Sequence, residues 1–127
     1  MKIAIIIPCN NSDEILERCF KSLKSQTKKE YISVYLINDC SNKTKDNFQS
    51  LIQKYSVFFE IKYFKTKEPS GPSVARNIGL KNVSEKWVTF MDADDWLYDE
   101  YVIENYLKIL NNNQLDNIAS IHFTILD

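Results

Sequence analysis

Trp87-Val88-Thr89-Phe90-Met91-Asp92-Ala93-Asp94-Asp95-Trp96 sets five bulky, β-prone residues directly against three carboxylates within four positions. An apolar run that ends in clustered acid reads as a buried strand delivering charge to a ligand edge. Like charges this close repel, so without a cation or a proton among them at least one carboxyl is expected to have its pKa pushed up. A hard divalent cation, Mg²⁺ or Mn²⁺, would relieve that repulsion. Such ions are commonly held by one or two carboxylates, with water and phosphate oxygens completing the shell, which points to a phosphate-bearing ligand. A plainer reading stands beside this one: Asp94 or Asp95 caps the helix expected from near Asp99, since acidic turns after strands are common.

Outward from this stretch, strands and helices alternate. Upstream, Glu68-Pro69-Ser70-Gly71-Pro72-Ser73 is the densest cluster of breakers and opens a helix through Val74, Ala75, Ile78 and Leu80. Before it, Val57 to Phe64 reads as a strand, Asp46 to Tyr55 as a helix, and Tyr31 to Ile37 as a strand ending in the polar turn Asn38-Asp39-Cys40-Ser41-Asn42. At the start, Ile3 to Ile7 is a continuous apolar run stopped by Pro8, as expected of a strand buried on both faces. A helix follows, with Ile15, Leu16, Cys19, Phe20 and Leu23 on one face. Downstream, Glu100 to Leu110 is amphipathic with Tyr101, Val102, Tyr106, Leu107, Ile109 and Leu110, and Ile118 to Leu126 reads as a fifth strand. This alternation predicts βαβ units, a mostly parallel sheet and ligand binding beyond the carboxyl ends of the strands. The polar endings Pro8 to Asn11, Asn38 to Ser41 and Asp92 to Asp95 then share one edge, which the Gly71 to Asn77 segment can reach by folding back.

The composition narrows the chemistry. The 127 residues, 44% hydrophobic and 26% charged, suit a single globular domain, and a net charge of -1 provides no basic field for nucleic acid. Three cysteines without CxxC spacing argue against a disulfide framework and a zinc site and fit a reducing cytoplasm. With two glycines, Gly71 and Gly79, there is neither a GxGxxG nor a P-loop. Cys9 or Cys40 as a nucleophile would want a histidine base, and the one histidine, His122, falls in an apolar run. Asp92 and Asp94 fit the first half of the DxD-type phosphatase pattern, but Trp96 occupies its Thr/Val position.

Four stretches in order carry a resemblance, the first of them in two parts. Ile5-Ile6-Ile7-Pro8-Cys9-Asn10-Asn11 is followed by a helix closing on Ser22 and Gln26-Thr27; then come Asp39-Cys40-Ser41, Gly71-Pro72-Ser73-Val74-Ala75-Arg76-Asn77-Ile78-Gly79, and Asp92-Ala93-Asp94-Asp95-Trp96-Leu97. Together they resemble the P-x-x-N, S-x-x-x-Q-T, D-x-S, G-x-S-x-A-R-N-x-G and D-A-D-D-W-L motifs of the family 2 glycosyltransferases, inverting enzymes of GT-A fold that use nucleotide-diphosphate sugars. The resemblance spans nearly the whole chain. The family often has an aromatic residue where Asn10 stands and an acid where Asn38 stands.

The resemblance implies an α/β, three-layer αβα, Rossmann-like GT-A nucleotide-binding domain over residues 1–127, lacking the acceptor-binding half. It implies transfer of a sugar, with inversion, from a UDP-sugar to a saccharide or lipid-linked acceptor in bacterial surface polysaccharide synthesis. Asp39 is expected to contact the nucleotide base beside a wall shaped by Pro8 and Asn11. Arg76 is expected near the nucleotide, Asp92 at the ribose, and Asp94 as ligand to Mn²⁺ or Mg²⁺ at the diphosphate. No catalytic base is expected here: in the family that carboxylate comes from beyond Asp127, so these residues alone are expected to be inactive. The intact protein is expected in the cytoplasm, peripherally at the inner face of the membrane through its remaining part. A non-catalytic nucleotide-binding module is the alternative from another class.

Overall fold

A computed structural model of the chain describes residues 2–10, 13–39 and 45–112. Asn11, Cys40, Ser41, His122 and the strand expected over Ile118 to Leu126 lie outside the described residues. The order is β1 (Ile3–Cys9), α1 (Asp13–Lys24), β2 (Ile32–Asn38), α2 (Lys45–Tyr55), β3 (Glu60–Lys65), α3 (Pro72–Asn82), β4 (Trp87–Phe90) and α4 (Val102–Asn112). The strands form one parallel sheet in the order β3-β2-β1-β4. The reversal between β1 and β4 is a topological switch point, where the connections leave a crevice at the carboxyl ends of the strands.

Two apolar layers hold the sheet, and the pleat of β1 feeds both. Ile3, Ile5, Ile7 and Cys9 join Leu16, Cys19, Phe20 and Leu23 of α1, Phe48 of α2 and Ile103 and Leu107 of α4. Ala4 and Ile6 face the other way, with Tyr35, Ile37 and Ala75. Helices therefore cover both faces, which is the expected three-layer arrangement and explains why β1 reads as an unbroken apolar run rather than an alternating one.

Several local expectations shift for physical reasons. Pro8 does not stop β1, which continues to Cys9. Ile6 accepts from the Met91 N–H and Cys9 from the Asp39 N–H, so by strand alternation the missing Pro8 donor lies on the β4 side, beyond the last paired residue of that ladder. Ile15 is 48% exposed because α1 packs through Leu16, Cys19, Phe20 and Leu23 alone. On α3, Val74 and Leu80 are exposed, and the helix approaches the sheet through Ala75 and Gly79 instead. A Cβ on Gly79 would lie 2.6 Å from Ile6 Cγ2, so the closeness of α3 to β1 depends on that glycine. Strand β3 begins at Glu60 rather than near Val57, which is exposed in the preceding turn. Strand β4, expected to be buried, is only half-buried, with Phe90 exposed. No helix among the described residues is long and apolar enough to cross a membrane.

Candidate nucleotide site at the sheet edge

Two groups of acids stand at the carboxyl ends of the strands. Asp39, directly after β2, is 5% exposed, and its carboxylate is already occupied. Its Oδ1 accepts from Thr66 Oγ1 at 3.0 Å and the Ser70 N–H at 3.1 Å, and Oδ2 accepts the Gly71 N–H at 2.9 Å. The acid thereby ties the end of β2 to the loop that opens α3. Gly71, at φ 86° and ψ 165°, occupies backbone space that is open essentially to glycine alone, and Pro72 fills the first helical position. A carboxylate has about four acceptor positions, so Asp39 retains roughly one for a ligand.

The second group follows β4. One carboxylate oxygen from each of Asp92, Asp94 and Asp95 lies within 4.8 Å of the others, and all three residues are exposed. The Asp95 N–H donates to the Asp92 carbonyl at 3.0 Å, closing the turn that gathers them. Their surroundings differ. Arg76, one turn into α3, donates Nη2 to Asp92 Oδ1 at 3.0 Å. The Asp94 carboxylate has no hydrogen-bond or ion-pair partner among the described residues. Partial burial, with the Asp92 and Asp94 charges behind it, holds the Asp95 carboxyl above its ordinary pKa. Oxygen donors at this spacing suit a hard divalent cation, and the strain among these charges is of the kind that a cation relieves. Neither Asp94 nor Asp95 caps the next helix: α4 begins at Val102, and Asp99 accepts the Tyr101 N–H at 2.8 Å in the turn just before it.

Pro8 is half-buried in β1 between these groups, and Asn10 is exposed just beyond it. Asn38 is fully buried and donates Nδ2 to the Tyr63 hydroxyl at 2.9 Å, so its side chain serves the core. Cys9 and Cys19 are buried, Cys9 donating Sγ to the Ile37 carbonyl, and burial pushes the Cys19 thiol up to about 12, leaving it a core filler.

The model of the family described as "Glycosyl transferase family 2" matches residues 4–125. The chain belongs to glycosyl transferase family 2. Among its curated relatives, the glycosyltransferase GlyA of Streptococcus pneumoniae is 36% identical over 86% of this chain and 15% of its own length. The poly(ribitol-phosphate) beta-N-acetylglucosaminyltransferase TarP of Staphylococcus aureus is 35% identical over 88% of this chain and 34% of its own. The chain thus spans about a third or less of these relatives. The crystal structure of S. aureus TarS 1-349 in complex with UDP superposes with a TM-score of 0.77 at 26% identity, covering 88% of this chain and 32% of that one. The fold is accordingly the GT-A fold of glycosyltransferases.

Within this family 2 fold, the structure brings Arg76, Asp92 and Asp94 together, places Asp39 in a separate hub at the same edge, and leaves Pro8 on the strand between. Sequence reasoning missed what Ser22, Gln26 and Thr27 do. Gln26, 1% exposed, donates to the Asp99 carbonyl at 2.6 Å and accepts the Ile103 N–H at 3.1 Å, so it caps α4 from outside. Ser22 Oγ accepts the Leu97 N–H at 3.0 Å, and the Thr27 N–H donates to the Glu100 carbonyl at 2.9 Å. The signal was present in the S-x-x-x-Q-T motif, whose partners lie more than 70 residues away.

Proposed function

We propose that this chain is the donor-binding part of an inverting glycosyltransferase that takes a UDP-sugar and passes the sugar to a saccharide or lipid-linked acceptor in bacterial surface polysaccharide synthesis. The observation that carries the reading is the acid cluster at the switch point with Arg76 on Asp92, in a fold that matches UDP-bound TarS. The names of the relatives, among them a poly(ribitol-phosphate) N-acetylglucosaminyltransferase and a teichoic acid poly(glycerol phosphate) polymerase, support a surface-polymer acceptor.

In this reading Asp39 uses its remaining acceptor position on the nucleotide base, while Pro8 and Asn11 form the wall beside it. Arg76 keeps the Asp92 carboxylate turned toward the ribose, and its remaining donors face the nucleotide. Asp94, with its carboxylate unengaged, would hold Mn²⁺ or Mg²⁺, aided by Asp95. When bound, the cation supplies Lewis-acid stabilisation of the charge that builds on the departing diphosphate. None of the three acids serves as general base, because each is assigned to the leaving-group side, and inversion needs the base on the opposite face. The intact protein would work at the cytoplasmic face of the membrane.

Calorimetric titration of the intact protein with UDP, with and without Mn²⁺, tests the reading. Mn²⁺ tightens UDP binding in the unmodified protein and has no such effect in Asp94→Ala. UDP binding indifferent to both would overturn the metal role, and tighter binding of GDP, CDP or TDP would replace uridine as the base.

A further inference from the structure

The carboxylates at the end of β4 are held by α1 as much as by their own strand. Strand β4 pairs with β1 only through Trp87 to Phe90, and Met91 adds one more hydrogen bond, to Ile6; the acids lie beyond both. From there onward, side chains of α1 and the turn after it take over. Arg18 donates Nη2 to the Asp94 carbonyl at 3.1 Å, and its guanidinium carbon sits 3.9 Å from the centre of the Trp96 ring. One turn along α1, Ser22 receives the Leu97 N–H, and just past the helix Gln26 and Thr27 fix Asp99, Glu100 and Ile103. Beneath them, Cys19 packs against Met91, with Sγ 3.8 Å from Sδ.

These partners differ in what they can set. Ser22, Gln26 and Thr27 act on residues 97–103, after the acids. Arg18 alone among them touches one of the three acids, and it touches the main chain rather than the carboxylate. A guanidinium that donates to a carbonyl and lies over an indole is held at two points at once, which its planar, forked shape suits better than an ammonium. We propose that Arg18 is a positioning residue for Asp94: by holding the Asp94 carbonyl and bracing on Trp96, it sets the direction in which the Asp94 carboxylate meets a divalent cation. The inference rests on the metal-assisted UDP binding proposed above. It assigns Arg18 no contact with substrate.

The test compares Arg18→Met and Arg18→Lys with the unmodified intact protein, by UDP calorimetry with and without Mn²⁺. Amide hydrogen exchange of Asp95 and Trp96 without metal is measured alongside. In Arg18→Met, UDP affinity without metal is unchanged, while the tightening produced by Mn²⁺ falls roughly tenfold, as for other residues that orient a metal ligand. Amide exchange at Asp95 and Trp96 quickens. Arg18→Lys, which keeps a cation and a donor, recovers part of the Mn²⁺ effect. Full Mn²⁺ tightening in Arg18→Met would overturn the positioning role while leaving the metal reading intact. Loss of metal-free UDP affinity in Arg18→Met would also overturn it, since Arg18 would then contact the nucleotide directly. Absence of Mn²⁺ tightening in the unmodified protein would overturn both readings together.

Discussion

Asp39 and the Asp92–Asp94–Asp95 group stand at the same edge of the sheet, yet the protein treats them in opposite ways. Asp39 is buried, and donors from Thr66, Ser70 and Gly71 take most of its acceptor positions. The later acids are exposed and crowded, and among the described residues Asp92 is the one whose carboxylate receives a cationic side chain, from Arg76. The first acid is mostly engaged by the fold and organises a loop, with roughly one acceptor position left; the second group has far more acceptor capacity open to something from outside. A carboxylate at a strand end therefore says little about its role until its donors are counted.

Removing the buried acid should have the largest effect. Asp39→Ala leaves two backbone N–H groups and the Thr66 hydroxyl without their acceptor, and stability should fall by about 3 kcal/mol in a denaturant titration. If it falls no further than a surface substitution would take it, Asp39 is not the hub described. Next comes the loop that Asp39 holds. Nothing crowds the Cβ position of Gly71, so Gly71→Ala tests backbone conformation alone and should cost about 2 kcal/mol, read as a drop in melting temperature.

The exposed group should respond in the opposite direction. Asp95→Asn removes one of three mutually repelling charges, so the metal-free melting temperature should rise slightly and gain less from Mn²⁺ than the unmodified protein does. A fall would mean that Asp95 has a structural partner like those of Asp39. The smallest effect is a control beneath the acids. With its thiol pushed up to about 12, Cys19 should resist iodoacetamide at pH 8 in the native state and react only on unfolding.

Much of this comparison was legible in the chain. The run from Trp87 into the acids gave the strand and the acidic turn beyond it, and the expectation that one of the close carboxyls is pushed up holds for Asp95, where burial adds to the repulsion. Arg76 was expected near the nucleotide, and the structure pairs it with Asp92. Burial was less legible at the flanks. Ile15, Val74 and Leu80 are as apolar as their buried neighbours, and hydrophobic spacing alone cannot say how wide a stripe the sheet will cover. The engagement of Asp39 was not legible, because its donors lie at Thr66, Ser70 and Gly71, and no local pattern links them to it.

What the sequence by itself determined is periodic or contiguous. It set the alternation of strand and helix, the parallel sheet, the family motifs and the clustering of three acids, because these follow from the order of neighbouring side chains. Tertiary structure alone decided the strand order β3-β2-β1-β4, the hub around Asp39 and the capping of α4 by Gln26. Each of these depends on groups far apart in the chain meeting at hydrogen-bond distance, and such meetings are fixed by how helices pack on the sheet rather than by any local preference.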